Sequence, residues 1–171
     1  MATDIQIAWI GLGANLGDAK GALHSAVLSI AALPQTRVLQ LSSLYRSAPV
    51  DAGGPDYFNA VAVVETRLAA LELLDALQAI ELAAGRARPY RNAPRTLDLD
   101  LLSFADLQMQ TDRLTLPHPR VLERAFVLQP MAELAGSGVT AEHLSSVADQ
   151  RIECVAAPQE WCGLLTRPGQ E

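Results

Sequence analysis

The chain has 171 residues, of which 50% are hydrophobic, and a net charge of -6 at pH 7. This size and apolar fraction fit one domain that buries its core without metals or disulfides. The acidic balance excludes a nucleic-acid-binding surface, because phosphate backbones require clustered positive charge. No apolar run reaches the roughly 18 residues of a membrane span, and residues 1–4 carry no basic segment. We expect a cytoplasmic monomer with no nucleic-acid or membrane partner.

The first predicted elements are a strand, a helix and two more strands. Residues 5–12 predict a buried strand that runs into a glycine-containing turn. Asp18 is a candidate N-cap for a helix whose apolar residues recur at helical spacing until Pro34 ends it. Residues 38–46 predict a strand, and residues 59–66, with Val61, Val63 and Val64, predict another; a loop dense in Pro and Gly joins them.

A second helix is predicted over residues 68–84 and ends at Gly85, before a strand that carries Asp98 and Asp100. The order β-α-β-β-α-β predicts an α+β fold, the ferredoxin-like antiparallel sheet with helices packed on one face and extra C-terminal elements. The pattern is weaker after residue 104, where residues 114–119 predict a proline-bounded loop.

The end of the chain gives fewer signals. Residues 123–134 and 140–149 predict short helices. We place residues 1–171 in a single domain, with a core over about 4–135 and a C-terminal extension over 136–171. Cys154 and Cys162 lack CxxC spacing and are predicted to be buried or inert thiols rather than a disulfide.

The junction between the second helix and the next strand concentrates charge. Four arginines stand there, at positions 86, 88, 91 and 95. Strand alternation places Asp98 and Asp100 on one face, with their Cα atoms roughly 6.6 Å apart. Two unit charges at that separation repel by about 2.5 kcal/mol at an effective dielectric of 20. Mg²⁺ accepts one or two carboxylates and completes its shell with water and phosphates. Since guanidinium groups bind phosphate, the junction predicts a metal and phosphate site.

The same charges are also typical of a solvated strand face beside an exposed loop. A chain of that kind would be a regulatory or interaction module without catalysis. A third interpretation is a two-metal phosphotransferase or nucleotidase that uses the same two carboxylates.

Other candidate residues lie in or beside the predicted loops. Tyr57 and Asn59 alternate onto one side of their strand, where a ring can stack on a heterocycle and an amide can bond its edge. The same aromatic residue is also consistent with ordinary core. His118 stands between two prolines and is a candidate ligand-binding residue, whereas His24 and His143 are predicted to be structural or exposed.

Several segments, in order over about residues 5–135, resemble the 6-hydroxymethyl-7,8-dihydropterin pyrophosphokinase family. They are IGLGANL at 10–16, SSLYRSAPV at 42–50, PDYFNA at 55–60, IELAAGR at 80–86, PRTLDLD at 94–100, LPH at 116–118 and RAF at 124–126. The string PRTLDLD is the most specific of these, and the resemblance fades after residue 134. Asn92 stands where many relatives carry an aromatic residue, and Pro119 stands where some relatives do.

The resemblance implies Mg²⁺-dependent transfer of pyrophosphate from ATP to the pterin hydroxymethyl group, with release of AMP, in folate biosynthesis. It implies that Asp98 and Asp100 bind two Mg²⁺ ions and that Arg86 and Arg95 stabilise the moving phosphates. ATP is the co-substrate, and no protein base is assigned. The loops over 47–57 and 86–95 are expected to close over the ternary complex.

The resemblance also implies two sets of binding residues. The ATP side comprises Gln78, Glu81, Arg86, Arg95, Leu101, Arg113, Thr115, His118 and Arg124. The pterin side comprises Ser47, Val50, Tyr57, Asn59 and Phe126, with the ring between Tyr57 and Phe126 and Asn59 at its amide edge.

Overall fold

The computed structural model describes residues 4–15, 17–48, 55–84 and 97–163. In chain order its elements are β1 (Gln6–Ala14), α1 (Ala19–Ala31), β2 (Thr36–Leu41), β3 (Leu44–Ser47), β4 (Tyr57–Thr66), α2 (Ala70–Ala83), β5 (Asp98–Phe104), β6 (Met109–Gln110), β7 (Thr115–Leu116), a 3₁₀ turn (Val121–Glu123), α3 (Ala125–Ala132), α4 (Ala141–Ser146), β8 (Ile152–Ala156) and α5 (Pro158–Trp161). Helix and antiparallel sheet are therefore mixed along the chain.

One antiparallel sheet organises the molecule. Its strand order is β5-β1-β4-β3-β8, and β2 also pairs with β4. The predicted strand over 38–46 is divided into β2 and β3 at Ser42 and Ser43. There the Ser42 hydroxyl accepts a hydrogen bond from the Val61 N–H at 2.9 Å, while the Ser42 N–H donates to the Val61 carbonyl at 2.9 Å. The Ser42 hydroxyl thus accepts the hydrogen bond that a backbone carbonyl would accept in an unbroken strand, and β2 and β3 both stay paired with β4.

The sheet is covered on both faces. α1 and α2 pack on one face, where the fully buried Ile10, Leu23 and Leu77 belong to the main hydrophobic cluster. α3 packs on the other face, and its Val127 joins a second cluster with Trp9. The expectation of helices on one face holds for α1 and α2 but not for α3. β4 is buried along most of its length because both of its faces are covered.

The helix boundaries follow local capping. The Asp18 carboxylate accepts a hydrogen bond from the Gly21 N–H at 3.0 Å, so the predicted N-cap is confirmed. α1 ends before Pro34, as predicted.

Pro119 follows the short β6–β7 hairpin, which lies partly in the segment 114–119 that was predicted to be a loop.

The C-terminal extension packs against the sheet. β8 pairs with β3, and the Trp161 indole donates a hydrogen bond to the Ser42 carbonyl at 3.1 Å. Cys162 is 1% exposed and lies in the main core, whereas Cys154 is exposed on β8. Both thiols are free, and of the two predicted alternatives, buried or inert, burial applies to Cys162.

A carboxylate fastens the end of α3 to the break between β2 and β3. Glu133 accepts hydrogen bonds from the Ser43 backbone N–H at 3.2 Å and the Ser43 hydroxyl at 3.0 Å. The Tyr45 hydroxyl donates to the same carboxylate. Burial and the neighbouring Glu133 raise the pKa of Tyr45 above its ordinary value, so the phenol stays protonated as a donor.

Within the described ranges, no helix has the length and apolar character that a membrane crossing requires.

Candidate active site

Three adjacent strands bring the predicted acidic and pterin-side residues onto one face of the sheet. β1 is the middle strand, and its Gly13 lies opposite Asp98 on β5 and Asn59 on β4. Gly11 lies opposite Asp100 in the same way. Directly opposed residues in an antiparallel pair project to the same face. The two carboxylates and the amide therefore share the face on which α3 packs.

A cavity of about 880 Å³ lies over this face, between the sheet, the start of α3 and the extension. Seven predicted site residues line it: Ser47, Tyr57, Asn59, Asp98, Asp100, Arg124 and Phe126. Its other lining residues, none of them assigned to a site from the sequence, include Gly11, Gly13, Arg120, Glu123, Gln150 and Arg151. The cavity thus joins the acidic strand to every predicted pterin-side residue in the described ranges.

Asn59 is held firmly in the floor of this larger cavity. The residue is only 4% exposed, and its Nδ2 donates a hydrogen bond to the Ser47 Oγ at 3.0 Å. A Cβ built on the facing Gly13 would lie 3.1 Å from the Asn59 Oδ1. The glycine therefore makes room for the amide. From the sequence Gly13 is predicted only as part of a strand or turn, whereas the cross-strand register places it against Asn59.

Gly13→Ala is expected to disturb Asn59 without unfolding the protein. The added methyl group forces the Asn59 amide to move by a few tenths of an ångström, and we expect the KM for the pterin that the family resemblance implies to rise about fivefold, or about 1 kcal/mol. Gly11→Ala is the comparison, since its Cβ would meet a Leu102 methyl at 3.4 Å, an ordinary contact. Equal effects of the two substitutions on KM would contradict this explanation.

At the start of α3, the wall of the larger cavity carries an arginine that stacks on an aromatic ring. The guanidinium carbon of Arg124 lies 5.3 Å from the centre of the Phe126 ring, which is a cation–π geometry. Both residues line the larger cavity. Arg124, which the family resemblance assigned to the ATP side, thus stands beside the aromatic ring assigned to the pterin.

A second cavity of about 350 Å³ lies between α2, β5 and the β6–β7 hairpin. Six residues predicted for the ATP side line it: Gln78, Glu81, Leu101, Arg113, Thr115 and His118. Asp100 lines both this smaller cavity and the larger one, and in the described part of the chain no other residue does so. The two cavities therefore meet at one carboxylate.

Polar contacts hold the walls of the smaller cavity in place. Glu81 is 4% exposed, and its carboxylate accepts a hydrogen bond from the Leu99 N–H at 3.2 Å. Leu99 lies between the two strand aspartates, so this bond ties α2 to the acidic part of β5. The Arg113 guanidinium bonds to the Asp75 carboxylate and lies 3.5 Å from the Gln78 Oε1. These contacts connect the hairpin to α2.

His118 stands in the smaller cavity as a neutral hydrogen-bond donor. Burial lowers the pKa of His118 below its ordinary value of 6.5; Asp100 opposes the shift, and Arg124 and Arg120 add to it. The His118 Nδ1 accepts a hydrogen bond from the Arg120 N–H at 3.2 Å. In the neutral ring the proton is therefore on Nε2, which can donate to an acceptor such as a phosphate oxygen.

NMR titration of the histidine rings in the absence of Mg²⁺ is expected to show that His118 titrates below 6.5. Asp100→Asn should lower the pKa of His118 further, because it removes the negative charge that raises this pKa. A higher His118 pKa in the variant would contradict the electrostatic assignment.

A sequence model of the family described as 7,8-dihydro-6-hydroxymethylpterin-pyrophosphokinase (HPPK) matches residues 9–136. The chain belongs to this family. A 2-amino-4-hydroxy-6-hydroxymethyldihydropteridine pyrophosphokinase from Pseudomonas aeruginosa is 46% identical over 132 residues, which cover 77% of this chain and 82% of the relative. The enzyme of the same name from Haemophilus influenzae is 41% identical over 152 residues, with coverage of 85% and 95%.

Solved structures share the fold of this pyrophosphokinase. HPPK-DHPS from Plasmodium falciparum, in a triple mutant with STZ-DHP, superposes with a TM-score of 0.65 at 13% identity. The match covers 85% of this chain but 44% of that chain, so the pyrophosphokinase spans less than half of the longer protein. At this identity the likeness shows the fold alone, a mixed arrangement of helices and antiparallel sheet. The enzyme class, an ATP-dependent diphosphotransferase, follows from the family.

The donor set of the pyrophosphokinase fits a magnesium site that is completed by its substrate. In the described ranges, no group of three or more His, Cys, Asp or Glu side chains is placed to hold a metal. Asp98 and Asp100 instead supply two carboxylates beside the larger cavity. Mg²⁺ commonly uses one or two carboxylates and takes its other ligands from water and phosphates. These two residues are therefore the ones that would hold it.

Some predicted features of the pyrophosphokinase lie outside the described residues. They are the arginines at positions 86, 88, 91 and 95, together with Val50, Asn92 and most of the two loops expected to close over the substrates. By contrast, sequence reasoning missed Gln150 and Arg151 in the wall of the larger cavity. No motif marks these two residues, because they reach the site only through the packing of the extension.

Proposed function

We propose that this chain transfers the pyrophosphoryl group of ATP to the hydroxymethyl group of 6-hydroxymethyl-7,8-dihydropterin, releasing AMP, in folate biosynthesis. The larger cavity takes the pterin and the smaller cavity takes ATP. The observation that carries this assignment is the position of Asp100, which lines both cavities. A group held at that carboxylate is within reach of both substrates.

The larger cavity has the chemistry that a pterin requires. Tyr57 and Phe126 supply aromatic faces on which a flat heterocycle can stack. Between them Asn59 supplies an amide with a donor and an acceptor, fixed by its bond to Ser47. Two faces and one polar edge fit a planar ring that carries amide-like groups. We therefore assign this pocket to the pterin.

The smaller cavity fits a nucleotide that carries phosphates. His118 offers a neutral Nε2–H donor and Arg113 offers a cation at its wall, while Leu101 gives an apolar contact for a base. Arg86 and Arg95, in the segment between α2 and β5, belong to the proposal as further phosphate ligands. The proposed direction of transfer runs from this cavity towards Asp100.

The reaction needs positioning and charge neutralisation more than a covalent intermediate. Asp98 and Asp100 are proposed to hold two Mg²⁺ ions, which when bound neutralise phosphate charge and make the acceptor hydroxyl more acidic. Asn59 and the two aromatic residues orient the pterin, and His118 steadies the phosphates. No nucleophilic side chain is assigned.

The finer classification of the fold is also part of the proposal. When β2 and β3 are counted as one interrupted strand, the sheet order β5-β1-β4-β3 becomes fourth, first, third, second. This supports the ferredoxin-like arrangement, with β8 added at the edge. The single domain, the monomeric state and the cytoplasmic location stay predictions.

Isothermal titration tests the proposed function directly. We expect an ATP analogue with a non-hydrolysable α,β bridge to bind only with Mg²⁺, and the pterin to bind more tightly once the analogue is present. With ATP, saturating pterin should yield one AMP for each pterin consumed. Release of AMP with another alcohol acceptor, but not with the pterin, would favour the alternative phosphotransferase.

A further inference from the structure

Gln150 reaches the larger cavity from outside the segment that the family model matches. It follows α4 in the extension, beyond residue 136 where the match ends. Its Oε1 accepts a hydrogen bond from the Ala125 N–H at 2.9 Å, and its Nε2 donates to the Glu123 carbonyl at 2.8 Å. Gln150 also lines the cavity wall. One side-chain amide therefore binds the backbone on both sides of Arg124.

This contact replaces a missing helix cap. α3 begins at Ala125, and its N-cap residue Arg124 makes no side-chain capping hydrogen bond. The first N–H groups of a helix have no partner within the helix, so an external acceptor stabilises them. Gln150 supplies that acceptor from 25 residues away in sequence. Its second bond fixes the residue before the helix as well.

The clamped backbone carries two residues that line the larger cavity. Arg124 lies between the two bonded groups, and Phe126 is the second residue of α3. Both residues line the larger cavity, and the Arg124 guanidinium stacks on the Phe126 ring. The far end of α3 is fastened separately by Glu133. The position of the Arg124–Phe126 pair at the near end therefore depends on Gln150.

We propose that Gln150 is a positioning residue for pterin recognition, which holds the Arg124–Phe126 pair at the wall of the larger cavity through two backbone hydrogen bonds. The inference rests on the proposed assignment of this cavity to the pterin. The C-terminal extension then contributes to substrate selectivity, in addition to adding β8 to the edge of the sheet beside β3.

Two substitutions separate hydrogen bonding from packing. Gln150→Ala removes the side chain, whereas Gln150→Met keeps its length and removes both bonds. We expect both variants to raise the KM for the pterin about tenfold and to change kcat less than threefold. The affinity for the ATP analogue alone should stay within twofold, because Gln150 does not line the smaller cavity. Gln159→Ala, an exposed glutamine on α5, is the matched control and should leave all these values unchanged.

Three results would overturn the inference. The first is a pterin KM within twofold of the parent enzyme in both variants. The second is parent-like behaviour of Gln150→Met alone, since packing would then explain the alanine result. The third is a lower thermal midpoint and lower kcat with unchanged KM, which is the signature of a structural role.

Phe126→Ala separates this inference from the proposed function. If Phe126→Ala leaves the pterin KM unchanged, the assignment of the cavity to the pterin fails. If Phe126→Ala raises that KM while both Gln150 variants do not, only the role of Gln150 fails.

Discussion

Asp100→Asn is expected to lower kcat/KM by at least about 10³-fold, or about 4 kcal/mol, while the fold stays intact. The substitution keeps the shape of the side chain and removes the charge that would hold a divalent cation where the two cavities meet. Asp98→Asn is expected to act in the same direction, since Asp98 lies two residues away on the same face of β5. Steady-state assays of AMP release measure both effects.

Calorimetry identifies the step that is lost. In both variants the Mg²⁺-dependent binding of the ATP analogue should disappear, with circular dichroism and the thermal midpoint unchanged. Asp106→Asn is the matched control, because Asp106 is exposed in the turn after β5 and lines neither cavity. If the two strand variants bound Mg²⁺ and the analogue as the parent does, the carboxylates would be a solvated strand face and not metal ligands.

Asn59→Leu is expected to raise the KM for the pterin by roughly 30- to 150-fold, which corresponds to about 2 to 3 kcal/mol. Leucine has a similar branched shape but has neither the donor nor the acceptor of the amide. A pterin in the larger cavity would then bury polar edge atoms without partners, and an unmet buried hydrogen bond carries a penalty of this size. Steady-state kinetics at saturating ATP give the value.

The smaller cavity provides the internal control for Asn59→Leu. Asn59 does not line it, so the affinity for the ATP analogue should stay within twofold of the parent value. An unchanged pterin KM in a folded variant would remove Asn59 from the recognition site. Equal losses of pterin and analogue binding would instead indicate damage to the sheet.

Local signals in the sequence were reliable where the interaction itself is local. Asp18 caps a helix through a residue three positions ahead, and Pro34 stands just after the end of that helix. The strand break at Ser42 was not predicted, because its cause is a hydrogen bond to Val61 on another strand. Likewise, α3 covers the second sheet face through contacts with distant residues such as Trp9.

The sequence alone determined the order of helices and strands up to β5, apart from the break between β2 and β3, as well as the shared face of Asp98 and Asp100 and the resemblance that names the family. These follow from capping, from strand alternation and from short motifs, which act within a few residues. Only the tertiary structure decided that Gly13 makes room for Asn59, that Asp100 joins two cavities, and that Gln150 holds the start of α3. Each of these depends on which distant segments pack together, and packing is set by the whole fold rather than by neighbours along the chain.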